Sequence, residues 1–342
     1  MSRPTAIDLF SGCGGLTLGL RRAGFQVIGA VDNDPLSVET YRANHKEVHV
    51  WETDIRRLKV SQVMHVLHLK RGQLDLLAGC PPCQGFSTMR TLNRCRAARD
   101  PRNSLIIDFL RFVRVLRPKV VMLENVPGLA NDRRFKAFCV KVRALGYQFE
   151  HRILNAADYG VPQRRRRLIL LASRVGPLAF ARANKKPRTV RDAIGWLPSP
   201  LKSKDLLHKV EEKRSERVRD LIRRIPKNGG SRAQLGKRRQ LACHRRCDGF
   251  KDVYGRMAWN DVAPTITSGC INPSKGRFLH PSQNRAITLR EAVLLQSFPK
   301  EYYISLNRGK YPAAALIGNA LPPSLIAALA RPIRTMLRKG RR

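Results

Sequence analysis

Acidic side chains are scarce in this sequence. It contains 25 Asp and Glu residues against 66 Lys and Arg residues, which gives a formal net charge of +41. Such an excess costs self-repulsion and is best explained by a polyanionic partner, which we expect to be nucleic acid. The excess is densest from residue 178 to residue 286, where 26 basic residues stand against 9 acidic ones. A solvated basic surface without a partner is the simpler but weaker alternative.

Long apolar runs and abundant cysteines are also missing. No stretch reaches the roughly 18 apolar residues that a membrane-spanning helix needs, and Met1–Phe10 lacks the layout of a secretory signal peptide. Eight cysteines in 342 residues are few for a secreted disulfide scaffold, so we expect mostly reduced thiols. These absences predict a soluble cytoplasmic protein without membrane attachment, long enough for one large or two modest domains.

Short apolar runs alternate with amphipathic stretches in the first half of the chain. Six of these runs predict strands, at residues 6–10, 26–31, 48–53, 74–78, 119–123 and 167–172. The alternation is typical of stacked βαβ units. It predicts an α/β fold with a doubly wound, mostly parallel sheet.

The pattern changes after about residue 175, where prolines and basic runs dominate. One amphipathic helix is predicted there by the apolar spacing of Val218, Leu221, Ile222 and Ile225. Regularity returns at residues 288–291, whose Thr-Leu-Arg-Glu spelling predicts a capping box and a following helix. A last helix is predicted to start near Pro323, with a kink or an end at Pro332.

The first candidate site is the glycine-rich segment Asp8–Leu16, at the turn between the first strand and the first helix. Glycines there let the backbone approach a ligand closely. Asp32 ends the second strand, where a carboxylate can accept hydrogen bonds from ribose hydroxyls, and Asp54 follows the third strand, within reach of an adenine amine. An ordinary helix cap is the alternative for either acid. The three strand ends together predict a nucleoside cofactor.

The second candidate site is Gly79–Ser87, spelled Gly-Cys-Pro-Pro-Cys-Gln-Gly-Phe-Ser, directly after the fourth strand. A cysteine just beyond the carboxyl end of a strand lies where α/β sheets perform chemistry, so Cys83 is a candidate nucleophile. Cys80 and Cys83 also form a Cys-x-x-Cys pair, for which a redox role is the alternative. We favour the nucleophile because such redox pairs open a helix with no nucleoside turn before them.

Two further segments bring charged groups to the same edge of the sheet. Glu124 ends the fifth strand and is suited to general acid work or to recognition of a base edge. In Gln163–Arg167, the alternation of an extended chain puts Arg165 and Arg167 on one face, so that this pair can point into the site. A solvated surface charge run is the alternative for these arginines.

Taken in order, these segments resemble the motifs of the cytosine carbon-5 DNA methyltransferases. The resemblance covers nearly the whole chain apart from much of residues 175–260, and its Pro-Cys-Gln and Glu-Asn-Val elements are specific. It is carried by Asp8–Leu16, Gly79–Ser87, Glu124–Val126, Gln163–Arg167, Leu289–Pro299 and Gly318–Asn319. It implies a modification-type microbial enzyme with the Rossmann-like class I fold of S-adenosylmethionine-dependent methyltransferases.

The resemblance also implies a pocket for S-adenosylmethionine. Carried over by position, Phe10 would lie against the adenine ring, Asp32 would bind the ribose and Asp54 the adenine amine. The complete set of implied cofactor residues is Phe10, Gly12, Gly14, Asp32, Asp54, Pro82 and Asn319.

The implied reaction takes place on a cytosine flipped out of duplex DNA, because a stacked base cannot be reached. Cys83 would add to ring carbon 6, and Glu124 would contact ring nitrogen 3 and the exocyclic amine. Arg165 and Arg167 would hold Glu124, the base oxygen and nearby phosphate. Gln163 and Thr265 are weaker candidates for substrate binding.

We predict two domains. The catalytic domain consists of residues 1–174 and 310–342, and the target-recognition domain of residues 175–309. The expected partners of this monomer are double-stranded DNA and, within a restriction–modification system, a cognate endonuclease acting on the same site. No metal is predicted, because Cys243, His244, Cys247 and Cys270 match no standard zinc spacing. A transfer-RNA methyltransferase and a catalytically silent DNA-binding relative are the alternative functions.

Overall fold

A computed structural model describes residues 2–82, 104–184, 186–209, 214–236 and 252–340. Over these residues seven strands form one sheet. The strands are β1 (Thr5–Leu9), β2 (Gln26–Asp32), β3 (His49–Glu52), β4 (Leu76–Gly79), β5 (Val120–Asn125), β6 (Gln148–Asn155) and β7 (Arg166–Ser173). The helices are α1 (Gly15–Arg22), α2 (Pro35–Asn44), α3 (Val60–Val66), α4 (Leu105–Leu116), α5 (Arg133–Ala144), α6 (Val190–Ile194), α7 (Glu216–Arg224), α8 (Leu289–Leu295), α9 (Lys310–Asn319) and α10 (Pro323–Lys339).

The sheet has the strand order β3-β2-β1-β4-β5-β7-β6. Strands β1 to β5 are parallel, and β7 runs antiparallel to both of its neighbours. This arrangement confirms the predicted doubly wound, mostly parallel sheet. The strand order reverses between β1 and β4, and ligands of open α/β sheets bind at the carboxyl edge beside such a reversal.

The chain divides into two compact units. The first consists of Met1–Asn155, Arg166–Ala183 and Leu321–Arg342, and the second of Ala156–Arg165 and Asn184–Ala320. These boundaries differ from the predicted domains, since residues 156–165 and α9 belong to the second unit. Hydrogen bonds join these two segments to the second unit. The buried side chain of Gln163 and the end of α9 are both bonded to Gln296, which lies in that unit.

The long helix α10 runs through Pro332 without ending, so the predicted end at this residue is wrong, while the alternative, a kink, stays a prediction. A proline removes one helical N–H, but Leu329 and Ile333 on either side of it are fully buried and keep the helix packed. By length and composition the segment Lys310–Lys339 could cross a membrane, yet 78% of its most apolar window is buried inside the protein, as expected for core helices.

Close packing of α1 against α10 depends on Gly19. A Cβ atom at this position would lie 2.5 Å from Cβ of Ile326 and 2.7 Å from the carbonyl oxygen of Pro323. Both distances are shorter than real contacts, so the two helices approach as closely as a glycine permits.

We predict that Gly19→Ala lowers the melting temperature. Helix propensity alone would make alanine more stable by about 1 kcal/mol, but overpacking between α1 and α10 costs about 1–3 kcal/mol and outweighs it. Thermal unfolding followed by circular dichroism measures the change. Gly340→Ala is the control, because a Cβ there meets nothing closer than 3.9 Å. An unchanged melting temperature for Gly19→Ala would contradict the packing argument.

The second unit contains a buried arginine that is bonded to carbonyls of several of its segments. Arg256 is fully buried, and its Nη2 donates to the carbonyl of Ile222 at 2.9 Å and of Ile225 at 3.4 Å, near the end of α7. Its Nη1 donates to the carbonyl of His280 at 2.8 Å. The positive charge therefore satisfies carbonyls that a helix leaves unpaired at its C-terminus. Burial lowers the pKa of Arg256 to about 10, which leaves the side chain charged at neutral pH.

Replacement of this arginine is expected to destabilise the second unit strongly. Arg256→Met keeps the length of the side chain but leaves several buried carbonyls without donors, at a cost of about 3 kcal/mol. Chemical denaturation would measure the loss. Arg223→Met, at an exposed ion pair with Glu216 on α7, is the control and should change little, because exposed pairs contribute weakly. Equal stability of the two variants would refute the role of Arg256.

Candidate active site

The turn between β1 and α1 holds an unusual backbone. Phe10, Gly12 and Gly14 have φ angles of 63°, 52° and 92°. Glycine adopts this left-handed region freely, whereas Phe10 stores strain of about 1–2 kcal/mol there. Strain of this kind concentrates at ligand sites, where the surrounding structure enforces it.

Asp32 joins the end of β2 to this turn. Its Oδ2 accepts a hydrogen bond from the Gly12 amide at 2.7 Å, and its Oδ1 accepts one from the Asp34 amide at 3.0 Å. Burial raises the pKa of Asp32, while these backbone donors act in the opposite direction. A Cβ atom at Gly12 would meet nothing within 4 Å, so the turn borders space that a ligand could fill. A carboxylate beside such space at the carboxyl edge of the sheet fits a nucleoside cofactor.

Asp54 lies beyond the end of β3 and has a partner of its own. Its Oδ1 accepts hydrogen bonds from the amide of Arg56 at 2.9 Å and from the Nε of the same residue at 3.0 Å. The Arg56 guanidinium holds the pKa of Asp54 below its usual range. The carboxylate is therefore charged and oriented, and its contact with an adenine amine stays a prediction.

The end of β4 packs tightly against β1. A Cβ atom at Gly79 would lie 2.6 Å from the carbonyl oxygen of Leu9, and the Cys80 amide donates to that oxygen at 3.2 Å. Pro82 is half-buried. Cys83 lies outside the described residues, so its role as nucleophile stays a prediction from the sequence.

Glu124 and Arg167 form a mostly buried ion pair. Nε of Arg167 lies 2.8 Å from Oε1 of Glu124, and their side chains are 14% and 8% exposed. The Cys80 thiol is hydrogen-bonded to Glu124, and its pKa is raised well above the usual value, chiefly by burial and then by the Glu124 charge. Cys80 is therefore a neutral thiol, which makes it unsuited to nucleophilic attack.

Arg165 and Gln163 are built into the interior of the second unit. Nη1 and Nη2 of Arg165 donate to the carbonyls of Ile266 and Gly318, both at 2.9 Å. Gln163 is fully buried and its amide group is bonded to Ile266 and Gln296. Gln163 is therefore not accessible for the expected substrate contact. The expected contacts of Arg165 with Glu124, the base oxygen and phosphate stay predictions.

Thr265 and Asn319 are the two remaining predicted residues of this unit. The half-buried Thr265 donates its hydroxyl hydrogen to the carbonyl of Arg164 at 2.7 Å, which orders the segment around it. Asn319 is exposed at the end of α9. Contacts of Thr265 with DNA and of Asn319 with a cofactor stay predictions.

Gln296 was not identified as a site residue from the sequence. It is fully buried, accepts a hydrogen bond from Nε2 of Gln163 at 2.9 Å and donates one to the carbonyl of Ile317 at 2.6 Å. Gln296 does lie in the Leu-Gln-Ser-Phe-Pro segment that carries part of the family resemblance. That position in the sequence does not show whether its side chain is buried or exposed.

The sequence from residue 5 to residue 335 matches the family described as C-5 cytosine-specific DNA methylase. The chain belongs to that family. The predicted family and enzyme class are thereby confirmed, and membership of a methyltransferase family implies S-adenosylmethionine as the methyl donor in general.

Two curated relatives of this methylase are named as Type II enzymes. It is 35% identical to the Type II methylase M.HgiDII of Herpetosiphon aurantiacus, over 97% of this chain and 95% of the relative. It is 33% identical to the Type II methyltransferase M1.HphI of Haemophilus parahaemolyticus, over 97% of this chain and 87% of the relative. The similarity therefore extends over almost the full length of each protein.

Solved structures support the fold of this methylase. A protein described as a DNA modification methyltransferase encoded within an E. coli prophage matches it with a TM-score of 0.72 and 25% identity, over 98% of this chain and 99% of that one. The S. pombe Dnmt2 methyltransferase matches with a TM-score of 0.61 and 20% identity, over 99% of each chain. At that lower identity the likeness concerns the fold alone. The predicted class I methyltransferase fold is confirmed.

We predict that Arg167→Lys lowers kcat of this methylase about tenfold to a hundredfold. Lysine keeps the charge but loses the planar fork that orients the Glu124 carboxylate. Transfer of a tritiated methyl group to DNA measures kcat. Arg166→Lys is the matched control, since that neighbouring side chain is exposed. A kcat for Arg167→Lys within twofold of the native value would show that the pair does not orient the carboxylate.

Proposed function

We propose that this methylase transfers a methyl group from S-adenosylmethionine to carbon 5 of a cytosine within one short duplex DNA sequence. The observation that carries the proposal is the buried Glu124–Arg167 pair at the carboxyl end of β5. The neighbouring strand β4 leads at the same edge into Pro82 and then Cys83 in the sequence. A held carboxylate at this edge and the cysteine that follows β4 in the sequence are the two groups that the reaction requires.

The chemistry assigns a separate task to each group. Cytosine carbon 5 is a poor nucleophile until a nucleophile adds to carbon 6, and the Cys83 thiolate makes that bond. Glu124, after taking up a proton from solvent, donates it to ring nitrogen 3 and so neutralises the negative charge that develops during attack, and it takes the proton back when Cys83 leaves. S-adenosylmethionine would supply an electrophilic methyl group to carbon 5 and leave as S-adenosylhomocysteine, whose sulfur would keep the electrons of the broken bond. A base then removes the carbon-5 proton, and the bond to Cys83 breaks with return of its electrons to sulfur.

The first unit provides groups suited to hold the cofactor. The Asp32 carboxylate lies at the strained turn and can accept the ribose hydroxyl hydrogens. Gly12 and Gly14 leave the turn without side chains where the methionine part would lie, and Phe10 offers an aromatic ring for the adenine. Asp54 and Pro82 complete the groups that the first unit provides, and Asn319 is proposed from its motif in the sequence alone.

The substrate is proposed to be duplex DNA with the target base flipped out. The net charge of +41 supports phosphate binding, which supplies most of the affinity of such proteins for DNA. The second unit is the proposed target-recognition domain, in which Thr265 would contact the backbone of the DNA. As in the Type II systems named for its relatives, we propose that the enzyme acts in the cytoplasm and protects sites that a cognate endonuclease would cut.

Expression in a host without cytosine methylation tests the proposal. Plasmid DNA from cells that express the native chain, sequenced after bisulfite treatment, is expected to carry 5-methylcytosine in one short motif. Cys83→Ala at equal soluble expression is the control and should leave the plasmid unmodified. A covalent complex with DNA that carries 5-fluorocytosine in the motif should form with the native chain and not with Cys83→Ala.

The other outcomes separate the alternatives. Unmodified plasmid together with new methylcytosine in transfer RNA from the same cells would move the substrate to RNA. Unmodified plasmid and RNA, with retained DNA binding, would indicate a catalytically silent binder. Normal turnover and covalent trapping by Cys83→Ala would overturn the assignment of the nucleophile.

A further inference from the structure

The glycines in the turn between β1 and α1 leave its backbone free to rotate. Gly14 comes immediately before α1, with a φ angle of 92° and a ψ angle of 17°, and Gly15 follows it. A peptide group between two glycines meets little steric resistance when it rotates. A ligand that binds to a mobile turn must first order it, which weakens binding. A group that holds this turn in place would therefore strengthen the binding of a ligand there.

The end of α2 supplies a group that holds the turn. His45 follows α2 and is 1% exposed, and its ring centroid lies 4.7 Å from that of Tyr41. The His45 ring is hydrogen-bonded to the carbonyl of Gly14. The same carbonyl accepts a hydrogen bond from the Leu18 amide at 2.9 Å, within the first turn of α1. The Gly14 peptide is thus held by α1 and by the residue that ends α2.

The neighbours of His45 determine which of its ring nitrogens donates to Gly14. Burial, followed by the charge of Arg21, lowers the pKa of His45 to about 4, so the ring carries a single N–H at neutral pH. Nη1 of Arg21 lies 3.2 Å from Nδ1 of His45, and a guanidinium can only donate, so Nδ1 is the acceptor. Glu47 holds Arg21 in turn, with 2.6 Å between its Oε1 and Nη1. The N–H that reaches the Gly14 carbonyl is therefore on Nε2.

The start of α1 is fixed by other bonds that do not involve His45. Oδ2 of Asp8 accepts hydrogen bonds from the amide and the hydroxyl of Thr17, at 3.1 Å and 2.7 Å. The Thr17 hydroxyl oxygen also lies 2.7 Å from Oη of Tyr41. These bonds hold the helix itself and leave the turn before it to be positioned separately. His45 contacts the turn at the glycine that joins it to the helix.

We propose that His45 is a positioning residue for the cofactor, since its Nε2–H fixes the Gly14 peptide and so forms the turn before S-adenosylmethionine binds. This inference rests on the proposed function, in which Gly12 and Gly14 lie beneath the methionine part. His45 touches neither the cytosine nor the methyl group in that function. Its loss therefore weakens ground-state and transition-state binding of the cofactor equally, which raises KM and leaves kcat unchanged.

Three variants separate the N–H of His45 from its packing. His45→Phe keeps an aromatic ring against Tyr41 and removes the donor. His45→Gln is the conservative variant, because its amide keeps an N–H donor for Gly14 and an oxygen acceptor for Arg21. Val142→Ala is the stability control, since Val142 is fully buried on α5, which packs against α4 and β6.

The experiment is calorimetric titration of S-adenosylhomocysteine into the full chain without DNA. We expect His45→Phe to bind about fivefold more weakly than the native chain, the effect of one hydrogen bond. His45→Gln and Val142→Ala should stay within twofold of the native affinity. In methyl transfer to duplex DNA, His45→Phe should raise KM for S-adenosylmethionine by the same factor and keep kcat within twofold. Should His45→Phe not fold, His45→Asn replaces it, because its shorter amide reaches only the position of Nδ1.

The possible failures are distinguishable. Native affinity for S-adenosylhomocysteine in His45→Phe would overturn the inference. Equal weakening in His45→Phe and His45→Gln would show that the ring and not its N–H is required, and equal weakening in Val142→Ala would trace the effect to stability, so each would also overturn it. Native protein that binds neither S-adenosylhomocysteine nor S-adenosylmethionine would contradict the proposed function itself.

Discussion

A buried carboxylate needs a cation beside it, and the ion pair between Glu124 and Arg167 meets that need through the direction of one strand. Glu124 stands at the carboxyl end of β5, where the parallel strands β1 to β5 all end. Arg167 stands at the start of β7, and it reaches that edge because β7 is antiparallel to β5. A parallel strand would begin at the opposite edge and leave the carboxylate without its cation. A lone buried carboxylate would be costly, so the reversed strand makes a charged group possible at this position.

In the arginine run that leads into β7, exposed and buried side chains alternate, and the two buried ones have different partners. Arg164 and Arg166 are exposed, whereas Arg165 is buried and Arg167 is partly buried. The alternation predicted from the sequence is therefore present. The two inward side chains nevertheless have different partners, since Arg165 binds carbonyls within the second unit and Arg167 binds Glu124 within the first. Alternation determines which face a side chain occupies, and only the tertiary structure determines what it meets there.

The sequence predicted those parts of the fold that carry a local signal. Apolar runs marked six strands, and the capping box at Thr288 is present as predicted. The strand β6 was missed because it is an edge strand whose residues are mostly exposed, so it has no apolar run. Of the candidate site, Asp32 could be placed from the end of β2. The partners of Gln163 could not, because Gln296 is 133 residues away along the chain and such long-range bonds leave no local pattern.

The number of basic residues in the sequence does not tell how many of them are exposed to a partner. The excess of basic residues indicates a polyanionic partner, yet Arg165 and Arg256 are buried and donate to carbonyls near the C-terminal ends of α9 and α7. Five donors in a planar fork let arginine satisfy several carbonyls at once, which a lysine cannot do with the same geometry. Each of these arginines adds to the net charge without exposing its guanidinium to phosphate. The net positive charge of the molecule therefore favours binding of DNA. The number of basic residues nevertheless overstates how many of them can contact DNA.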